Sequence, residues 1–103
     1  MEKAKVICIC GSLKFLDQIK IQAEKLELEG NCVLSIIYPA KEDKGDYTQD
    51  ELQLLGALHK QRIDMSDAVF IVNVNGYTGI STRSEIEYAD KAGKEVIYLE
   101  EKI

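Results

Sequence analysis

The stretch KVICICGS, Lys5 to Ser12, decides the fold. From Val6 to Cys10 it is apolar without interruption, and it stops at a Gly-Ser pair. A half-buried strand alternates apolar and polar residues; an uninterrupted run marks a strand covered on both faces, as in a parallel sheet. Three further runs share this character: Cys32–Tyr38 (CVLSIIY), Ala68–Val74 (AVFIVNV) and Glu95–Leu99 (EVIYL).

Between these runs the period changes. Leu16, Ile19, Ala23 and Leu26 fall on one helical stripe. Ser12 is the expected N-cap of that helix, which should run to about Glu29 and end at Gly30-Asn31. Thr48-Gln49-Asp50-Glu51 fits a capping box for a second helix running to about Met65, with Leu52, Leu55, His59 and Ile63 on one face. A third helix is expected over about Thr82 to Ala92, closed by Gly93.

The order is βαβαβαβ. Strands separated by helices pair in parallel through right-handed crossovers. The sequence therefore predicts one three-layer α/β domain over residues 1–103, Rossmann-like or flavodoxin-like. Its four-stranded parallel sheet should have the order 2-1-3-4, with helices on both faces. Ligands of such sheets bind beyond the carboxyl ends of the strands, where strands 1 and 3 diverge. Gly11-Ser12 and the segment Asn73 to Glu85 meet there, and the polar loop AKEDKGDY after Pro39 should lie over one end of the sheet.

Composition narrows the chemistry. The chain has 103 residues, 46% of them hydrophobic, with one proline. Eighteen acidic residues against 13 basic ones give a net charge of −5, which argues against a nucleic-acid partner. The amino-terminal apolar run is too short for a signal-peptide core or a membrane span, so a cytoplasmic protein is expected. Cys8, Cys10 and Cys32 should be free thiols. Cys8-x-Cys10 has no second ligand pair after it and reads as core packing, so neither a metal nor a cofactor is expected.

The segment GYTGISTRSEIEYA, Gly76 to Ala89, carries two readings of Glu85. Thr82-Arg83-Ser84-Glu85 matches a capping box, which spacing alone favours, although Ser81 could cap instead. Alternatively, a glutamate in the first helical turn is kept ionised by the helix dipole and faces a ligand. At the mouth of a parallel sheet such a carboxylate suits glycosyl chemistry, trapping an oxocarbenium-like centre. Gly11 and Ser12 could donate to a phosphate. Asn73, Gly76, Tyr77, Gly79 and Ser81 would line the same site, and Arg83 would pair with a carboxylate or phosphate near Glu85. His59, the single histidine, is an accessory candidate. Asp64 and Asp67 should lie at the far, amino end of the strands. Neither a G-x-G-x-x-G fingerprint nor a P-loop is present.

Taken together, ICGSLKF, MSDAVFIVN and GISTRSEIEYADKAGKEVIYLE resemble the nucleoside 2-deoxyribosyltransferase-like superfamily, over about Lys5 to Glu100. That group includes the 2'-deoxynucleoside 5'-phosphate N-hydrolases. The resemblance implies that Glu85, opening the run Glu85-Ile86-Glu87-Tyr88-Ala89, is a nucleophile toward the anomeric carbon. It maps sugar or 5'-phosphate binding to Gly11 and Ser12, and pocket formation to Gly79 and Ser81. It also implies a nucleoside or nucleotide ligand and a homodimer or larger homo-oligomer. Three departures stand out: Glu87 replaces the usual glycine, Cys8 and Cys10 occupy the positions where active members often carry a tyrosine, and no acidic residue lies between Asp67 and Glu85. A binding module without turnover on the same fold is the alternative. GYTGISTRSE is also a loose relative of the P-G-G-x-G-T-x-x-E loop of Rossmann-like phosphoribohydrolases.

Overall fold

The computed structural model describes residues 3–41 and 43–101. Glu42 in the polar loop, and Lys102 and Ile103 in the charged tail, lie outside the described residues. Four strands form one parallel sheet: β1 (Val6–Gly11), β2 (Cys32–Leu34), β3 (Ala68–Val72) and β4 (Glu95–Tyr98), in the order β2-β1-β3-β4. Three helices connect them: α1 (Leu16–Leu28), α2 (Gln49–Asp64) and α3 (Ile80–Lys91). The expected α/β architecture and strand order are both present.

The strand alternation sorts the core into two layers. Ile7 and Ile9 of β1 pack with Phe70 and Val72 of β3 against Ile19 and Leu26 of α1. On the opposite face Cys8, Cys10, Val69 and Ile71 pack with Ile63 of α2 and Ala89 of α3. The continuous apolar runs in β1 and β3 are thus central strands buried on both faces. The amino ends are pinned by Asp67, whose carboxylate accepts from the Val6 N–H at 2.8 Å while its own N–H donates to the Val6 carbonyl at 2.7 Å.

β3 and β4 end at Val72 and Tyr98, short of the expected Val74 and Leu99, and three other boundaries differ from the sequence reading. β2 stops at Leu34, because the edge strand pairs with β1 only from Cys32 to Leu34; residues 35–38 leave the sheet. Ser12 does not cap α1 directly. It accepts from the Lys14 N–H and opens a 3-10 turn, Leu13–Phe15, that precedes the helix. α3 begins at Ile80 with Gly79 as N-cap, two residues earlier than expected. The capping box at Thr48 forms as expected, with both reciprocal bonds present.

After β3 the chain turns through Asn75 and Gly76, both in the left-handed region, which Asn and Gly adopt most readily. The Asn73 side chain clasps the backbone of Glu100 in both directions, at 3.0 and 2.9 Å. Among the described residues, no helix is long and apolar enough to cross a membrane.

Candidate functional site

A cavity of about 700 Å³ opens at the carboxyl end of the sheet. Gly11 and Ser12 form one wall, and Tyr77, Gly79 and Ser81 another. α2 contributes Leu52, Leu55, Gly56, His59 and Arg62, and the loop after β2 contributes Pro39, Lys44 and Tyr47. The loop therefore lies over the ligand end of the sheet.

Glu85 reaches this cavity from α3. With Gly79 as N-cap it is the sixth helical residue, in the second turn, beyond reach of the first free N–H groups. The cap carries no side-chain hydrogen bond, so the capping-box reading of Thr82 and Glu85 fails. Thr82 is instead buried. The early helix start places the residues of the first turn, Ile80, Ser81 and Thr82, in the cavity wall with Gly79.

The surroundings of Glu85 are unexpected. Its Oε1 lies 3.9 Å from His59 Nε2. That nitrogen is also 3.4 Å from Cys10 Sγ and 3.7 Å from Cys8 Sγ. The two cysteines sit at alternate positions of β1, so both side chains leave the same face and meet the histidine of α2. Both are fully buried, and His59 is nearly so. His59 Nδ1 is buried and has no hydrogen-bond partner among the described residues.

Proximity shifts all four groups. Cys10 keeps its own proton beside the Cys8 thiol, so its thiol is raised, with burial adding to the effect. The same neighbour, against the opposing cost of burial, lowers Cys8 to about 6. Burial works to lower the His59 imidazole, but the Cys8 thiolate and the Glu85 carboxylate outweigh it and leave it raised. Burial raises Glu85, and the opposing charge of His59 only partly offsets this. The helix dipole therefore does not decide the state of Glu85, contrary to the expectation from sequence: in the second turn the dipole has faded, while desolvation has not.

Of the residues singled out from sequence, Gly11, Ser12, Tyr77, Gly79, Ser81, His59 and Glu85 meet around this cavity. Asn73, Gly76 and Arg83 do not. They line a separate hollow of about 530 Å³ together with Glu87 and Asp90. The reason is helical phase: two residues along a helix are about 200° apart, so Arg83 faces away from Glu85. Asn73 is occupied by its clasp on Glu100. Asp64 and Asp67 lie at the amino end, as expected, where Asp64 accepts from the Tyr88 hydroxyl at 2.8 Å. The sequence reading assigned no site role to Lys14, Lys44 and Arg62, which add positive charge to the cavity rim. It also treated Cys8 and Cys10 as core alone. No signal in the chain joins them to a histidine 49 residues beyond Cys10.

The scan of protein families matches none to this chain, and no curated protein is significantly similar to it.

Proposed function

We propose that the cavity binds a nucleoside or nucleotide and that Glu85 cleaves its N-glycosidic bond, by hydrolysis or by deoxyribosyl transfer to another base. One observation carries this reading: the Glu85 carboxylate is not spent on its helix and faces an open cavity beside Gly11 and Ser12. In the first step a Glu85 oxygen attacks the anomeric carbon as the C–N bond breaks. The bonding pair leaves with the base nitrogen, which takes a proton from the His59 imidazolium. Water or an acceptor base then displaces Glu85 from the glycosyl ester, and His59 recovers a proton from that nucleophile. His59 takes the place of the absent loop carboxylate; Glu85 is the single acidic residue lining the cavity among the described residues.

The rim favours an anionic group on the sugar. Lys14, Lys44 and Arg62 line the cavity, and none has a carboxylate ion-pair partner among the described residues. The uncapped first turn of α3 offers backbone N–H groups suited to a phosphate. The ring of Tyr77, with Lys14 Nζ 4.2 Å from its centroid, stands at the mouth. A homodimer or larger oligomer belongs to the same proposal, and Leu54, Leu58 and Ile80 offer exposed apolar surface for it.

The test is base release from a panel of 2'-deoxynucleosides and their 5'-monophosphates, followed by chromatography. Wild type releases base, and Glu85→Ala does not. Absence of turnover across the panel by folded wild-type protein would end the catalytic reading. The raised, desolvated Glu85 favours a second reading, a nucleotide or phosphorylated-sugar binding module without turnover. That reading predicts stabilisation of roughly 2.7 kcal/mol at a hundredfold excess over the dissociation constant, with no base released.

A further inference from the structure

We propose that Cys8, Cys10 and His59, with the Glu85 carboxylate as fourth donor, form a binding site for a divalent metal ion of the zinc class. The three buried donor atoms lie within 4.8 Å of one another. Zinc bonds sulfur at about 2.3 Å and imidazole nitrogen at about 2.0–2.1 Å; tetrahedral angles then place sulfur and nitrogen about 3.6 Å apart. The two Sγ–Nε2 distances here are 3.7 and 3.4 Å, on either side of that value. The corresponding oxygen–nitrogen separation is about 3.4 Å. Glu85 Oε1, at 3.9 Å, reaches it by closing about half an ångström.

The donors come from three packed elements. Cys8 and Cys10 are fixed in the central strand, His59 on α2 and Glu85 on α3. Two thiolates and an imidazole select zinc-class or softer ions over magnesium or calcium. Charge points the same way. No Lys or Arg among the described residues forms an ion pair with Glu85, and the cation touching the two thiols is His59, with Arg62 acting on Cys8 from farther away. When an ion displaces their protons the two thiols and the carboxyl become buried anions, and the dication held between them supplies the counter-charge. An ion has a route in, because His59 and Glu85 line the cavity. On binding, any proton still held by either thiol, by Nε2 or by Glu85 passes to solvent, and the imidazole keeps its hydrogen on Nδ1.

This site stands independently of the glycosidase reading. An ion held here occupies both His59 and Glu85, so metal-loaded protein cannot use them on a substrate, and loading inhibits any base release.

The experiment uses the full chain, stripped with chelator and titrated with Co²⁺ and then Zn²⁺. One Co²⁺ per chain is expected, with tetrahedral visible bands and a thiolate charge-transfer band, all displaced by Zn²⁺. Cys8→Ser and Cys10→Ser each remove the charge-transfer band or reduce it by about half, whereas Cys32→Ser, which alters the exposed cysteine, leaves it intact. If a buried-cysteine variant does not fold, zinc-edge X-ray absorption on wild type decides the matter: two sulfurs at about 2.3 Å with lighter atoms completing the shell are required. Substoichiometric binding, a shell without sulfur, or bands that depend on Cys32 would overturn the site. None of these readouts involves nucleotide turnover.

Discussion

Gly11 and Gly56 both line the cavity, and the same substitution should move stability in opposite directions at the two positions. Gly11 ends β1 in register with Val72 of β3. A Cβ added there meets Val72 Cβ at 3.1 Å, the Val72 carbonyl oxygen at 3.3 Å and Ile19 Cδ1 at 3.6 Å. Val72 is 1% exposed and Ile19 is fully buried, so neither has room to retreat. Overpacking of this kind costs about 1–3 kcal/mol. At about 4 °C of Tm per kcal/mol for a chain of this length, Gly11→Ala melts roughly 4–12 °C below wild type. Gly56 lies inside α2, where an added Cβ finds nothing within 4 Å. Alanine there removes the entropic cost of glycine in a helix, about 0.5–1 kcal/mol, and raises Tm by about 2–4 °C. The assay is thermal unfolding followed by circular dichroism in chelator, with urea unfolding to confirm unchanged m-values. A Gly11→Ala protein as stable as wild type would refute the claim that strands 1 and 3 touch across this position without slack.

Three other outcomes follow from the packing and the site. Ile63→Ala, a fully buried position beneath the cysteine cluster, costs about 2–5 kcal/mol by urea unfolding, whereas Gln53→Ala, exposed on the same helix, stays within about 0.5 kcal/mol; equal effects would contradict the placement of α2. Thr48→Ala removes the hydroxyl that accepts from the Glu51 N–H at 3.1 Å and lowers stability by about 0.5–2 kcal/mol, and no change would mean the capping box is not formed in solution. Glu85→Gln in metal-free protein at neutral pH raises Tm, because it removes a desolvated charge and keeps the shape, while abolishing base release. A fall in Tm would show that Glu85 is structural after all.

Much of this architecture was readable before any coordinates. The apolar runs at Val6–Cys10 and Ala68–Val74 demand burial on both faces, and intervening helices demand parallel pairing, so the strand order and the ligand end of the sheet follow. Glu85, His59, Gly11 and Ser12 could be selected for that end because each stands at a strand end or on a helix face whose direction the period defines. The same periodicity was weaker at the edges. CVLSIIY has strand composition throughout, but an edge strand lasts only as long as its single neighbour pairs with it, and β1 pairs it at three positions.

Two features belonged to tertiary structure alone. The cap of α3 falls on Gly79 rather than Thr82, which releases Glu85 from its own helix. Spacing could not choose among Gly79, Ser81 and Thr82, since each is an acceptable cap and only the path of the chain out of β3 selects one. The meeting of Cys8, Cys10, His59 and Glu85 is likewise invisible in one dimension. Sequence periodicity fixes which way each side chain leaves its own element. Whether four such directions converge within a few ångströms depends on how far α2 and α3 slide over the sheet, and packing against the buried Ile63 and Ala89 sets that distance.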